Sequence, residues 1–461
     1  NEFPRTLIRS KYGFDVSEEF LKKLQLGSVR FNNGGSGSFV SESGLVFTNH
    51  HVGADCIQKL STKEHDYMKD GFQAKLQTDE QACPDLELNV LLKIENITEK
   101  IKSAVSVGLA AAEAGTRRRA EMSSIEKACT ERTGHRCDVV TFFSGGQYHL
   151  YEYKKYTDIR LVFAPEKDIA FFGGDADNFT YPRWNLDVCF FRVYENGAPV
   201  RPIQHFKWAK EGVKRGELTF VSGNPGSTGR LLTLAELELQ RDVIVPLNLD
   251  RHQKFIESLK RFSQQGPEQA RVALEEIFGS ENSFKAYSGF MSGLNDPAFL
   301  LRKLKEEATL KAAIAKNADR QKQFGAVWDE IAAIAAESRN LYRPLAVFES
   351  SPHSFGSILP IARQTYRLAV ERGKPNGERL REYAESGLDS LQAGLFSPAP
   401  LDPGLEQEIL AEYLRFAIRT LGADNEVLKK VLAGKTPECE TEAGPSQVEH
   451  RIGLLIYVAR R

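Results

Sequence analysis

From Gly37 to His51 the chain reads Gly-Ser-Phe-Val-Ser-Glu-Ser-Gly-Leu-Val-Phe-Thr-Asn-His-His, a run with the pattern of a β-hairpin. Phe39-Val40 and Leu45-Val46-Phe47 are two short stretches of β-formers, and Ser41 to Gly44 supply turn chemistry between them. The turn sets the register of the second strand, so the pair His50 and His51 is delivered to a fixed place at its end. Neighbouring strand residues point to opposite faces, so the two imidazoles cannot both serve one site. One is read as an acid or base and the other as packing. A single histidine at a strand end is ordinarily structural, so any claim of chemistry has to come from the rest of the chain.

Along the rest of the chain, two characters follow one another. Residues 18 to 26 predict a short amphipathic helix, and Ser28 to Phe31 a strand before the Asn32-Asn33-Gly34-Gly35 turn. Val52 to Leu60 reads as helix, and Leu86 to Ile97 as a strand with Leu88, Val90, Leu92 and Ile94 on an alternating face. An Ala, Glu, Lys and Arg-rich stretch from 97 to about 131 predicts a helical excursion hung on a β framework. Strands are expected again at Gln147 to Tyr153, Asp158 to Phe163, Val188 to Tyr194 and Leu218 to Val221. From about Leu231 the pattern turns helical, with helices expected at Pro267 to Phe278, Pro297 to about Leu341, Ser357 to Arg372 and Leu405 to Leu421. A β-rich part over 1–235, a helical part over 236–435 and an irregular, acidic tail over 436–461 are therefore expected.

Sixty-one Lys and Arg against 62 Asp and Glu leave a net charge of −1, an overall balance that does not point to nucleic acid or a membrane surface as partner. No apolar run approaches the roughly 20 residues that cross a bilayer. The first residue is Asn, so a leader removed before maturity, and with it export, is an expectation. The six cysteines form no CxxC, and there is no HExxH, so neither a metal nor another cofactor is expected. Cys129 and Cys137, eight apart around a Gly turn, are the pair best placed to bond. Asn96-Ile97-Thr98 and Asn178-Phe179-Thr180 fit the glycosylation triplet, a pattern that chance produces often. Asp175 to Asn178 lacks the Gly and Glu of a calcium loop, and Gly34 to Gly37 lacks the Lys of a phosphate cradle.

Thr48-Asn49-His50-His51 at a strand end, followed far downstream by Leu186-Asp187-Val188-Cys189-Phe190, has the arrangement by which chymotrypsin-like serine peptidases pair base and orienter. A serine hydroxyl is a poor nucleophile until an imidazole takes its proton, and a buried carboxylate fixes that imidazole's tautomer. With Gly37-Ser38-Phe39-Val40-Ser41 and Gly173-Gly174-Asp175-Ala176-Asp177-Asn178, the ordered set over about 1–435 resembles the bacterial dipeptidyl-peptidase 7 and 11 family. These are serine exopeptidases with a chymotrypsin-like double barrel and an inserted helical domain. The resemblance implies an α+β chain in which an incomplete chymotrypsin-like β-barrel carries a large inserted α-helical domain. It also implies His51 as general base, Asp187 as its orienter and Asn178 as a ligand for the substrate's free α-amino group. Phe179 stands where relatives usually have Trp, which keeps an aromatic wall and loses an indole N–H. The implied partners are peptides with a free N-terminus, and relatives suggest a homodimer in the periplasm or outside the cell.

The nucleophile is the departure. The family's Gly-Asn-Ser-Gly-Ser-Pro-like motif does not occur in these 461 residues. Ser227, in Gly223-Asn-Pro-Gly-Ser227-Thr, comes only 40 residues after Asp187 and is followed by helical sequence, so it is read as a turn residue and not as the nucleophile. The chain is therefore expected to be a truncated or inactive form of a serine dipeptidyl aminopeptidase. A non-catalytic peptide-binding protein on the same framework is the alternative, separable from the first by turnover of dipeptidyl substrates.

Overall fold

The computed structural model describes residues 3–438 apart from 107, 172, 227 and 351–354. Two compact units result. One comprises Asn1–Phe171, Trp184–Pro225 and Arg367–Pro400, the other Phe172–Arg183, Gly226–Tyr366 and Leu401–Arg461.

The first unit rests on an antiparallel sheet with, among the described residues, eleven strands. They are β1 (Ser28–Phe31), β2 (Ser36–Phe39), β3 (Leu45–Thr48), β4 (Phe72–Gln73), β5 (Gln81–Ala82), β6 (Leu88–Asn96), β7 (Arg136–Phe142), β8 (Gln147–Tyr156), β9 (Asp158–Ala164), β10 (Cys189–Glu195) and β11 (Ala198–Pro199). The ladders run β4-β9-β10-β3-β2-β1-β6-β8-β7, with β5 on β9 and β11 on β10. No ladder joins β4 to β7 among the described residues. Alternation decides which face is core: Val29, Phe31, Phe39, Val46, Leu161 and Phe191 are fully buried. The intervening residues of β3 and β10, such as Phe47 and Phe190, are only half-buried on the opposite face.

Helices of this unit bear on the sheet. Helix α1 (Glu18–Gly27) starts where the Ser17 side chain accepts the Phe20 N–H, and α2 (His50–Leu60) follows β3 directly. The helical excursion holds a 23-residue helix, α3 (Ala111–Thr133), whose Ile125 and Cys129 pack on Val139 and Leu150. Cys129 and Cys137 are bonded, as their spacing suggested. A second disulfide, Cys56–Cys83, ties α2 to the segment before β6. Residues 381–390 return to this sheet from far along the chain: Arg381 donates to the Val139 carbonyl at 2.5 Å and Ser390 to Glu87 at 2.7 Å.

One expected strand is absent. Leu218 to Val221 is irregular and makes no ladder, because its apolar residues serve different neighbours. Phe220 lies 5.1 Å from the Phe20 ring and 5.4 Å from Phe14, whereas Val221 is wholly exposed. A four-residue apolar run carries too little periodicity to separate these outcomes.

The second unit is helical. Helices α4 (Val245–Ser263), α5 (Leu274–Leu294) and α6 (Pro403–Leu421) enclose a core of Phe255, Leu259, Phe355, Ile409, Tyr413 and Phe416. Pro at the first turn and an Asp402 cap on the Leu405 N–H start α6 two residues before the expected Leu405.

Within this unit His252, buried on α4, is held neutral. Burial, helped by the adjacent Arg251 guanidinium, pushes its pKa down to about 4. Arg251 Nη2 stands 3.0 Å from Nε2, which therefore accepts, and the Tyr287 ring stacks at 5.8 Å. In the unfolded chain the same ring takes its proton near 6.5. Stability from the neutral ring is therefore complete above pH 6.5 and is lost as pH falls through about 4. The loss amounts to roughly 3 kcal/mol. A His252→Gln variant is expected to flatten the fall of the unfolding midpoint across this window; an unchanged slope in the variant would show that other groups set it.

Candidate active site

The site begins where β3 ends. Thr48 closes the strand, its hydroxyl donating to the Ser36 carbonyl at 2.8 Å, and Asn49 is the N-cap of α2. His50 and His51 are thus the first two residues of a helix and not the end of a strand, which corrects the alternation argument. Successive helical residues diverge by about 100°, and the outcome is still one ring in the core and one toward solvent. His50 is buried, and its burial lowers its pKa against the opposing pull of Asp187, so it stays neutral. His51 is half-exposed.

Strand β10 lies antiparallel to β3 with Cys189 opposite Thr48 and Phe190 opposite Phe47. Continuing that register two residues beyond the ladder puts Asp187 across from the histidine pair. The approach is anchored by the Leu186 N–H on the Ile169 carbonyl at 2.8 Å. Gly53 lets α2 lie against this strand, since a Cβ there would stand 2.9 Å from the Cys189 sulfur and 3.0 Å from the Phe191 ring.

His51 Nδ1 lies 2.7 Å from Asp187 Oδ2, and the His51 backbone N–H donates to Asp187 Oδ1 at 3.0 Å. Asn49 Nδ2 donates to the same Oδ2 at 3.1 Å and to the Asp187 carbonyl at 3.2 Å. Burial raises the pKa of Asp187, but the hydrogen bonds it accepts from the His51 ring and backbone outweigh it and hold the carboxyl below its ordinary value. An ionised carboxylate only accepts, so Nδ1 carries the proton and the lone pair of the neutral ring is on Nε2. An imidazole so fixed can remove a proton from a hydroxyl brought to Nε2. The nearby Cys189 thiol is no nucleophile, because full burial pushes it well above its usual range.

Asn178 and Phe179 lie in the second unit, in the loop that opens with Gly173. Asn178 is 2% exposed. Its amide donates to the Gly173 carbonyl at 2.8 Å and to Asn282 Oδ1 at 3.1 Å, and its Oδ1 accepts from Arg183 Nη1 at 3.1 Å. Arg183 also pairs with Asp175 at 2.7 Å, and Lys285 donates to the Ala176 carbonyl at 3.1 Å. Phe179 is 62% exposed and has a positive φ of 66°. Its buried neighbour Asn178 is no acceptor for a glycan. No motif in the sequence singles out Arg183, while an Asn directly before a helix is the signal that marks Asn49. Ser227 and Cys439 lie outside the described residues. Among the described residues no group of three or more His, Cys, Asp or Glu is placed to hold a metal, and no helix is long and apolar enough to cross a membrane.

A family model described as Peptidase S46 matches residues 1–450. The chain is 28% identical over 398 residues to an Asp/Glu-specific dipeptidyl-peptidase of Shewanella putrefaciens, covering 82% of this chain and 53% of that protein. It is 29% identical over 413 residues to dipeptidyl-peptidase 7 of Porphyromonas endodontalis, covering 85% and 50%. The fold is similar to that of Porphyromonas endodontalis DPP11 crystallised with the dipeptide Arg-Glu, with a TM-score of 0.74 and 22% identity over 98% of this chain and 69% of that one. The chain thus spans about half the length of the curated relatives it matches.

Proposed function

The chain belongs to the Peptidase S46 family, and from that premise we propose that it carries the base and orienter of a serine dipeptidyl aminopeptidase. The observation that carries the reading is the 2.7 Å contact of His51 Nδ1 with a carboxylate held ionised. In this reading His51 Nε2 takes the proton of a serine hydroxyl, whose oxygen bonds to the carbonyl carbon of the second substrate residue. The C–N bond then breaks, the amine leaves with the proton from the imidazolium, and water releases the dipeptide by the same steps. The Gly-Asn-Ser-Gly-Ser-Pro-like motif does not occur in these 461 residues, so in this reading they supply the base and the orienter and not the serine.

The sheet of the first unit is read as part of a chymotrypsin-like barrel, with 1–235 giving most of the catalytic part and 236–435 most of the inserted helical domain, while 172–183 fall in the helical unit and 367–400 in the first. Asn178 is proposed to take the substrate's ammonium on the second lone pair of its amide oxygen, with the exposed Phe179 ring as an aromatic wall. Two disulfides favour an oxidising compartment, hence the periplasm or the exterior. A homodimer acting on peptides with free N-termini completes the proposal.

The test is dipeptide release by the full-length protein from paired substrates with free and acetylated N-termini. Cleavage of the free form alone is expected. Equal cleavage of both, or turnover by the 461-residue chain alone, would overturn the reading.

A further inference from the structure

We propose that Asn49 is a positioning residue for the His51 and Asp187 pair, an inference that rests on the reading of that pair as base and orienter. An Asn at a helix N-cap ordinarily turns its own side-chain oxygen onto the N–H of the second or third helical residue. Asn49 has the extended backbone of an N-cap, φ −77° and ψ 151°, yet its side chain makes no such bond. The N–H of His51, second in the helix, goes instead to Asp187 Oδ1 at 3.0 Å. Asp187 therefore caps α2 from the neighbouring strand, and the amide of Asn49 is turned to hold Asp187.

The hold has two points. Asn49 Nδ2 reaches the Asp187 carbonyl at 3.2 Å and Oδ2 at 3.1 Å, which fixes the backbone and the side-chain torsion together. Among the described residues the Asp187 carboxylate accepts hydrogen bonds from His51 and Asn49. Donors from His51 cannot by themselves orient His51, because a carboxylate held only by that residue would turn with it. Asn49 adds a donor from the end of β3 that fixes the carboxylate's torsion on the Asp187 backbone independently of the His51 ring. It is also exposed, so replacing it leaves the core intact.

Two substitutions separate positioning from capping. Asn49→Ser keeps a capping residue and removes the long amide donor. Asn49→Asp keeps the shape and sets a second carboxylate against Asp187. The readout is the Nδ1 proton of His51, followed by NMR in the 461-residue chain with labelled histidine and assigned through His51→Gln. We expect a protected signal in the parent chain and exchange with water about five- to tenfold faster in both variants, with unfolding midpoints unchanged within about 2 °C. In the full-length enzyme kcat falls by a similar factor and KM holds. Unchanged exchange in both variants overturns the role of Asn49 while leaving the pair intact. Faster exchange that tracks a fall of several degrees in the midpoint overturns it too, as a structural effect. A parent chain with no His51 signal overturns the reading of the pair itself.

Discussion

Replacing His51 by alanine in the full-length protein is expected to lower kcat about 10⁶-fold with KM changed little. The expectation follows from geometry: the ring is the group fixed against an ionised carboxylate, while its neighbour His50 is buried and held neutral by that burial. His50 cannot substitute, since its position in the first turn of α2 directs it into the core. Steady-state rates on a free dipeptidyl substrate, with circular dichroism to confirm folding, check this. A variant retaining more than a few per cent of parent kcat would remove His51 from the chemistry.

Asp187→Asn is expected to lower kcat about 10⁴-fold in the same protein. Three donors converge on the carboxylate, from the His51 ring, the His51 backbone and Asn49. An amide offers one acceptor oxygen, and its NH₂ would face a donor, so the ring turns to the wrong tautomer or the helix loses its cap. Losing the cap adds a stability cost of about 1–2 kcal/mol, measurable as a lower denaturation midpoint. An intact rate in Asp187→Asn would mean that another group orients the ring.

The hairpin is legible because its turn and its two apolar runs obey a local rule, and β10 because Val188-Cys189-Phe190-Phe191 is a run of β-formers, although only alternate residues of it are fully buried. The long helix α3 showed through its Ala, Glu and Arg content. Less visible was where β3 gives way to α2: Thr48 and Asn49 suit a strand end and a helix cap equally, and the helix starts two residues sooner than Val52. Cys56 and Cys83 lie 27 residues apart, and no turn between them announces their bond. The docking of Arg381 and Ser390 on the sheet depends on single side chains meeting distant partners, which leaves no periodic trace. Arg183 leaves no trace for the same reason, since its contacts with Asn178 and Asp175 arise from the path of one loop.

The cap of α2 comes from a residue 136 positions later in the chain. During synthesis, the histidine leaves the ribosome long before the aspartate that secures it, and until β10 docks the start of that helix is provisional. Aiming of the imidazole and docking of β10 thus share a single event. A copy in which β10 has not docked is left with an imidazole that no carboxylate has yet aimed.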